Sequence, residues 1–274
     1  MIIWVVTGFC LYLRYMDRNN DMTTGVVIST YNKKTLLGYM SQSCKADEII
    51  IADDGSTDDT RKLIERYSTH LPIIHVWHED NGFRKTEILN KAISAATSDY
   101  LIFTDHCIPR RDFIETHRRY ASEGYFLSGG YFKLPMDISR DITPDDIASG
   151  RAFDLKWLRS RGLKCSFKCS KLVKSKLFTM LMNRITPARA SWNGCNSSVW
   201  RKDILKANGF DERMRYGGED REFGERLVNS GMKSRQIRYS AILLHLDHNR
   251  PYKNEEAIAI NRAIRRETKA TRRV

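Results

Sequence analysis

The chain has 274 residues and a net charge of +13 at neutral pH. Apolar residues make up 41% of the chain and aromatic residues 10%. This length can bury a full hydrophobic core in one domain or two, and the composition excludes a disordered chain. The charge is uneven, because twelve lysines and arginines and no acidic residue fall between Leu155 and Lys202. Such a segment predicts an anionic partner, either a phosphorylated glycan, an anionic lipid surface or nucleic acid, although a basic face that only contacts water is the simpler explanation.

Residues 1–21 form an apolar N-terminal extension. The run from Ile2 to Leu13 is shorter than the ~20 residues needed to cross a bilayer, and it lacks a clear cleavage site. It is either a short membrane-associating segment or an extension upstream of a domain that begins at Met22. The six cysteines have no zinc-site or disulfide spacing, which favours free thiols in a reducing compartment.

From residue 22 onwards, short β-branched runs alternate with amphipathic segments. Strands are predicted at 25–30, 48–52, 73–77 and 99–103, and helices at 33–42, 58–67 and 86–96. This alternation predicts an α/β fold with a parallel sheet that is covered on both faces. Ligands of such sheets bind beyond the carboxyl ends of the strands, so the polar residues at those ends should line one crevice.

The second half is less regular. Basic helical segments dotted with aromatic residues are predicted from 142 to 187, followed by a strand at 194–200 and a short helix at 203–208. A helix then follows Gly217, and a last strand is predicted at 238–246. Residues 251–274 read as a basic helix or tail.

Two polar clusters end predicted strands. Asp53 and Asp54 precede a Gly-Ser turn, and Asp105 and His106 close the fourth strand. A carboxylate beside an imidazole can hold a divalent cation that offsets the charge of a leaving diphosphate. Ordinary turn chemistry explains either cluster taken alone.

A third cluster, Tyr-Gly-Gly-Glu-Asp at 216–220, places two adjacent carboxylates at the start of a helix. The helix dipole favours the ionised form of acids at this position. A carboxylate kept charged in a cleft can take a proton from a sugar hydroxyl, whereas the simpler interpretation is a capped surface helix.

The motifs occur in a characteristic order. They are Ser-Thr-Tyr-Asn at 29–32, Ile-Ala-Asp-Asp-Gly-Ser at 51–56, Asn-Gly-Phe-Arg-Lys at 81–85, Asn-Lys-Ala-Ile at 90–93, Phe-Thr-Asp-His-Cys-Ile-Pro at 103–109, Gly-Cys-Asn at 194–196, Asn-Gly-Phe-Asp at 208–211 and Gly-Gly-Glu-Asp at 217–220. In this order they resemble the family 2 glycosyltransferases of the GT-A fold, with a second half similar to a galactosyltransferase-type C-terminal module. The resemblance runs from Thr24 to Arg250.

This resemblance implies a single GT-A catalytic domain over residues 22–250, with a mostly parallel central sheet flanked by helices. Residues 22–135 would bind the nucleotide sugar, 136–190 would be a basic amphipathic insertion, and 191–250 would be the acceptor and catalytic half.

The resemblance also implies a set of donor-binding residues. Asp54, together with Asp53, would contact the uracil of a UDP-sugar. The full set comprises Thr30, Tyr31, Asp53, Asp54, Arg84, Lys85, Asp105 and Asn196. Core packing is the simpler expectation for Trp192, which could otherwise stack on a sugar.

A metal site is implied at the position of the family's Asp-x-Asp motif, which falls on Thr104-Asp105-His106. Neither outer position is aspartate here, so His106 would replace the usual carboxylate while Asp105 turns inwards. His245 or His248 matches a late histidine that completes the site. The expected cofactor is Mn²⁺ or Mg²⁺.

The catalytic residues implied are Asp220 as the base and Glu219 as a ligand of the acceptor hydroxyl. The reaction would be inverting, moving a hexose or N-acetylhexosamine from a UDP-sugar to a glycan or glycolipid in bacterial surface polysaccharide or lipooligosaccharide synthesis. A catalytically inactive sugar-nucleotide binding module is the alternative. A nucleic-acid partner is not expected, because an RNA-binding aromatic signature is missing.

Basic and apolar residues interleave between Leu155 and Met182, which is typical of a membrane-surface element. We expect this segment to hold the protein on the cytoplasmic, inner face of a bacterial cell membrane, beside a lipid-linked acceptor. An acceptor-site flap whose lysines face water is the alternative.

Overall fold

The computed structural model describes residues 21–32, 37–188, 190–247 and 255–274. The strands are β1 (Thr24–Thr30), β2 (Glu48–Asp53), β3 (Ile73–Trp77), β4 (Tyr100–Thr104), β5 (Ile108–Pro109), β6 (Tyr125–Ser128), β7 (Gly130–Lys133), β8 (Asn196–Trp200), β9 (Lys233–Gln236) and β10 (Ile242–His245). The helices are α1 (Leu37–Met40), α2 (Asp58–Ser68), α3 (Lys85–Ala95), α4 (Phe113–Tyr120), α5 (Met136–Asp141), α6 (Pro144–Ala148), α7 (Leu155–Ser160), α8 (Lys176–Ile185), α9 (Arg201–Lys206), α10 (Glu219–Asn229) and α11 (Glu255–Thr271). Two 3₁₀ segments cover Arg151–Phe153 and Phe167–Leu172.

A seven-stranded sheet in the order β3-β2-β1-β4-β8-β6-β9 organises the molecule. The first four of these strands are mutually parallel, and β6 and β9 are parallel to each other. Only β8 runs antiparallel to both of its neighbours, β4 and β6. The prediction of a mostly parallel sheet flanked by helices is confirmed.

Successive residues of β1 point to opposite faces of the sheet, as a strand requires. Val26 and Ile28 join one apolar cluster, which includes Ile64 of α2, while Val27 joins the other, which includes Ile88 of α3. Each face is therefore buried under helices, and this explains why the parallel strands read as continuous apolar runs.

A smaller three-stranded sheet, β5-β10-β7, adjoins the carboxyl ends of the main sheet's central strands. β10 is parallel to β7 and antiparallel to β5. A third apolar cluster packs this sheet against residues of the basic insertion, among them Ile138, Phe153 and Leu172. The insertion is thus a series of short helices anchored on the small sheet.

The four early strands and the helices at α2 and α3 lie where the sequence predicts them. The predicted helix at 33–42 is seen only as α1, because residues 33–36 lie outside the described part of the chain. The last strand is shorter than predicted: residues 238–241 form a turn before β10 begins. No helix in the described ranges has the length and apolar character that a membrane span requires.

Candidate active site

The strand order of the large sheet explains where a cavity forms. Chain order reverses between β1 and β4, and ligands of open α/β sheets bind at such a reversal, outside the carboxyl ends of the strands. A cavity of 520 Å³ opens there. Its lining comprises Ser29, Thr30, Tyr31, Asp54, Asp80, Gly82, Phe83, Lys85, Ile88, Asp105, His106, Tyr131, Lys133, Asn193, Cys195, Tyr216, Glu219, Asp220 and His245.

One end of this cavity is formed by the start of α10. Gly217 and Gly218 have φ angles of 105° and 103°, a region that side chains rarely adopt, and they turn the chain into the helix. The Gly217 amide donates to Glu219 Oε2 at 2.9 Å, which fixes that carboxylate against the turn. Asp220 follows in the first turn and faces the cavity with a 27% exposed side chain.

Lys85, at the start of α3, reaches both carboxylates. Its Nζ lies 3.4 Å from Glu219 Oε1 and 3.4 Å from each oxygen of Asp220. Burial alone would lower the pKa of Lys85, but the carboxylates of Asp220 and Glu219 raise it above its ordinary value. The lysine therefore stays charged and compensates two enclosed carboxylates.

The pKa of Asp220 is raised to about 6. Burial is the main cause, Lys85 opposes it, and the carboxylates of Glu219 and Asp105 raise it further. Asp220 is consequently ionised at neutral pH, yet basic enough to accept a proton.

Gly194 makes room for this carboxylate. A Cβ added at Gly194 would lie 2.3 Å from Asp220 Oδ1 and would displace this carboxylate from its position. The glycine of the Gly-Cys-Asn motif is therefore explained by the close approach of the backbone to Asp220.

Asp54, which is predicted to contact uracil, also lines this cavity. Asp54 accepts from the Arg84 amide at 3.0 Å and pairs with His78 Nε2 at 2.7 Å. Burial raises the pKa of Asp54, and these two contacts partly offset the increase. Thr30 and Tyr31 also line the cavity, as predicted.

Two of the predicted donor contacts lie elsewhere. Asp53 is 1% exposed, and its carboxylate accepts from the Ser56 amide at 2.9 Å and pairs with His75 at 2.9 Å. The Arg84 guanidinium turns away to Glu87 and to the Glu79 carbonyl. Both side chains shape the loops around the cavity and are absent from its lining.

The prediction for Asn196 is also not supported. Its side chain is completely buried, with Oδ1 3.0 Å from His117 Nε2 and Nδ2 donating to the carbonyls of Gly130 and Ala241. All of its polar groups are satisfied within the protein, so it joins the two sheets and cannot reach a ligand. Trp192 is 1% exposed and belongs to the core, which was the simpler expectation.

The predicted metal ligands Asp105, His106 and His245 meet at one corner of the cavity. The rings of His106 and His245 have centroids 5.3 Å apart. Ligand atoms of Asp105, Cys107 and His245 all lie within 4.8 Å of one another. His248 lies outside the described residues.

This corner fits a divalent cation. One oxygen of Asp105, Oδ1, is buried and has no hydrogen-bond partner among the described residues. Burial would raise the pKa of Asp105, but His106, the Cys107 thiol and other neighbours bring it below its ordinary value, so the carboxylate is ionised. Carboxylate and imidazole donors together suit a divalent metal ion.

Cys107 is the member of this corner that the sequence interpretation missed. Burial raises the pKa of its thiol well above the ordinary range, and a protonated thiol is a weak metal ligand. Its Sγ lies 3.2 Å from His245 Nδ1, a contact that orients the imidazole. Because 138 positions separate the two residues, no local pattern could have revealed the pair.

Other unpredicted residues complete the walls. The Tyr31 hydroxyl donates to Asp80 at 2.9 Å, and the rings of Phe83 and Tyr216 meet edge to face with centroids 5.6 Å apart. Tyr216 precedes the Gly-Gly turn, so its place beside the carboxylates is the one feature here that the motif could have indicated.

Comparison with known families agrees with this geometry. The profile of "Glycosyl transferase family 2" matches residues 25–142, and that of the "N-terminal domain of galactosyltransferase" matches residues 184–249. The predicted resemblance to the family 2 glycosyltransferases is confirmed over residues 25–142. Both matched regions contribute residues to the cavity.

Similar proteins include the validoxylamine A glucosyltransferase of Streptomyces hygroscopicus subsp. limoneus, 28% identical over 76% of this chain and 48% of the relative. An uncharacterized glycosyltransferase of Bacillus subtilis is 27% identical over 88% of this chain and 69% of its own length. The chondroitin synthase of Escherichia coli is 22% identical over 77% of this chain and 33% of the relative. The chain thus spans about half the length of the validoxylamine A glucosyltransferase.

Solved structures share the fold. Residues 1–349 of Staphylococcus aureus TarS, in complex with UDP-GlcNAc, give a TM-score of 0.59 at 14% identity, covering 92% of this chain and 69% of that one. A mannosyltransferase of Pyrobaculum calidifontis, in complex with GDP-Man and Mn²⁺, gives 0.54 at 18% identity, covering 93% and 68%. The predicted GT-A fold is therefore confirmed.

Proposed function

We propose that this protein is an inverting glycosyltransferase that moves a hexose or N-acetylhexosamine from a UDP-sugar to a glycan or glycolipid acceptor. One observation carries the proposal: a proton-accepting carboxylate, Asp220, and the corner formed by Asp105, His106 and His245 line the same 520 Å³ cavity. Such a volume accommodates a nucleotide sugar. The proposal is also supported by the TarS structure, which was solved with UDP-GlcNAc.

In the reaction, Asp220 accepts the proton of an acceptor hydroxyl, and the hydroxyl oxygen forms a bond to the anomeric carbon of the donor. The bond from that carbon to the UDP oxygen breaks, its electron pair leaves with UDP, and the configuration is inverted. Glu219, held by the Gly217 amide and Lys85, positions the acceptor hydroxyl. Lys85 keeps Asp220 charged before the proton is transferred.

Asp105, His106 and His245 would hold Mn²⁺ or Mg²⁺. When bound, the cation supplies positive charge that offsets the charge of the departing diphosphate. Asp54, Thr30 and Tyr31 line the part of the cavity assigned to uracil.

The variant Asp220→Asn tests the catalytic assignment. Loss of general-base assistance should lower UDP release from a UDP-sugar by about 10²–10⁴-fold, because Asn cannot accept the proton. UDP should still raise the melting temperature as in the wild type, since the uracil and metal contacts are retained. Asp59→Asn, an exposed change of the same kind on α2, is the control.

A panel of UDP-sugars, with GDP-mannose as the competing nucleotide class, identifies the donor by its protection against thermal unfolding. If Asp220→Asn turned over the donor at the wild-type rate, Asp220 would not be the catalytic base.

A protein that binds UDP-sugars but releases no UDP under any condition would be a binding module, which is the alternative function.

We further propose that the protein works in bacterial surface polysaccharide or lipooligosaccharide synthesis, bound to the anionic inner face of the cell membrane. This is supported by the exposed face of α8, whose Leu177, Met180, Leu181 and Ile185 are between 55% and 81% exposed. Exposed basic residues surround this face, including Lys174 and Lys176. An apolar stripe flanked by basic residues is typical of interfacial helices.

A further inference from the structure

A second cavity, of 380 Å³, adjoins the first. Asp220 and Asn193 line both cavities. The remaining lining of the second cavity comprises Trp192, Gly217, Gly218, Arg221, Ile258, Arg262 and Arg265. The carboxylate of Asp220 therefore stands where the two cavities meet.

The walls of the second cavity are the start of α10 and the side of α11. A Cβ added at Gly217 would lie 3.0 Å from Ile258, and one added at Gly218 would lie 3.2 Å from Arg265, so the helices approach closely. Asn261 of α11 donates to the carbonyls of Arg215 and Gly217, at 2.9 and 3.1 Å. These bonds fix α11 relative to the Gly-Gly turn and give the cavity a defined shape.

The charge of this lining is distinctive. Three guanidinium groups face one carboxylate, and Arg265 is already paired with Glu225 at 2.6 Å. Arg221 and Arg262 are exposed and form no ion pair with residues in the described ranges. Asp220 is instead compensated by Lys85 from the first cavity. Two guanidiniums are thus available at the mouth of a shaped cavity.

We propose that the second cavity binds an anionic group of the acceptor, a phosphoryl or carboxylate group on the acceptor glycan, and so places an acceptor hydroxyl at Asp220. This inference rests on the proposed function, because it takes Asp220 as the base. The planar donor fork of arginine matches carboxylate and phosphate oxygens in a bidentate manner. A neutral hexose would leave both guanidiniums without an anionic partner.

The two-cavity arrangement also separates the substrates. With the donor in the first cavity, an acceptor can reach Asp220 from the second, and its anionic group is kept on the arginine side, away from the Glu219 carboxylate. Arg221 and Asp220 both line the second cavity, so a group bound to the guanidinium lies in the same cavity as the proton acceptor.

The test uses three probes that share one sugar ring: glucose 6-phosphate, glucuronate and glucose. Their dissociation constants are measured by ligand-observed NMR with the first cavity filled by saturating UDP and Mg²⁺. We expect one or both anionic probes to bind more tightly than glucose. Replacing Arg221 and Arg262 by Gln should weaken anion binding by about tenfold or more per guanidinium, since a hydrogen bond to a charged group contributes about 1.5–3 kcal/mol.

Arg266→Gln, an exposed change on the same helix outside the cavity, is the matched control and should leave all three constants unchanged. Preference for glucose 6-phosphate identifies a phosphoryl group, and preference for glucuronate identifies a carboxylate. Equal binding of all three probes would overturn the proposal, as would unchanged anion binding in the Arg221→Gln/Arg262→Gln variant. UDP affinity and UDP-sugar turnover are measured separately. If the wild type does not turn over any UDP-sugar, the proposed function fails, and this result does not depend on how the three probes bind.

Discussion

Asp220 combines two opposing influences within one side chain. Enclosure raises its pKa, whereas the Lys85 ammonium 3.4 Å away lowers it, and the result is a pKa of about 6. A fully solvated aspartate would be a weaker base, and an enclosed one without the lysine would have a higher pKa. The lysine therefore sets the pH range in which Asp220 can accept a proton.

We expect turnover to depend on pH through this group. Protonated Asp220 cannot accept the acceptor proton, so kcat should fall as pH decreases through about 6 and reach a plateau above it. Lys85→Gln removes the charge that lowers the pKa and should move the midpoint upwards. The measurement is the initial rate between pH 5 and 8 at saturating donor and acceptor.

UDP affinity over the same pH range serves as the control for donor binding. A flat rate profile from pH 5 to 8, or an unmoved midpoint in Lys85→Gln, would contradict the assignment of the titration to Asp220.

At the scale of elements, β8 is held by a buried polar network. His117 of α4 places Nδ1 2.7 Å from the Ser198 hydroxyl and Nε2 3.0 Å from Asn196 Oδ1. The Tyr100 hydroxyl lies 2.7 Å from the same serine. Burial lowers the pKa of His117 to about 3, so the imidazole is neutral in the folded protein.

This network predicts a loss of stability in mild acid. The folded pKa of about 3 lies below the unfolded value near 6.5, so the unfolded state binds more protons between these values, and stability falls as pH decreases below 6.5. The contribution from His117 should be on the order of 2 kcal/mol between pH 7 and 5. His117→Gln, which stays neutral, should show a smaller change in urea unfolding free energy over this range.

His70→Gln is the matched control, because His70 is exposed. A wild-type unfolding free energy that is equal at pH 5 and 7 would contradict a buried neutral histidine at position 117.

The sequence predicts a strand or helix correctly where its pattern of apolar and polar residues matches its burial in the fold. The β-branched runs of β1, β2 and β4 are buried on both faces, and the acids at 219 and 220 begin a helix as their Gly-Gly turn suggests. By contrast, Lys233–Gln236 has no apolar residue, and it is a strand only because it pairs with β6 at the edge of the sheet.

The site was predictable to a similar extent. Polar residues after strand ends meet in the cavity because parallel strands end at one edge. The direction of an individual side chain is not encoded locally: Asn196 follows a glycine motif like a site residue, yet it points between the two sheets. Two features arise only from tertiary packing: the contact of Cys107 with His245, and the position of Asp220 in the lining of both cavities.

At the scale of the whole molecule, basic charge and exposed apolar side chains occur together in one segment of the chain. Phe167 is 75% exposed and Leu177 is 81% exposed, and both lie in the segment that carries twelve basic and no acidic residues. Lys171 is less available than its neighbours, because its Nζ donates to the Tyr131 carbonyl at 3.2 Å. The exposed Lys168, Lys174 and Lys176 are therefore the better probes of membrane binding.

Reversing the charge at these three positions (Lys168→Glu/Lys174→Glu/Lys176→Glu) should weaken binding to vesicles of phosphatidylcholine and phosphatidylglycerol on the order of 100-fold, since each basic residue near an anionic surface contributes about 1 kcal/mol. Sedimentation with the vesicles measures this, and UDP affinity should not change. Lys62→Glu/Arg66→Glu/Lys206→Glu makes the same change in net charge at exposed positions elsewhere. Equal sedimentation of the two triple variants would show that only overall charge matters.

The Lys85–Asp220 contact joins residues 135 positions apart. During synthesis, a ribosome exposes the lysine long before it has made the carboxylates that compensate it. Chains that stop before this helix lack both carboxylates, so the charge balance of the cavity is complete only after most of the chain has been made.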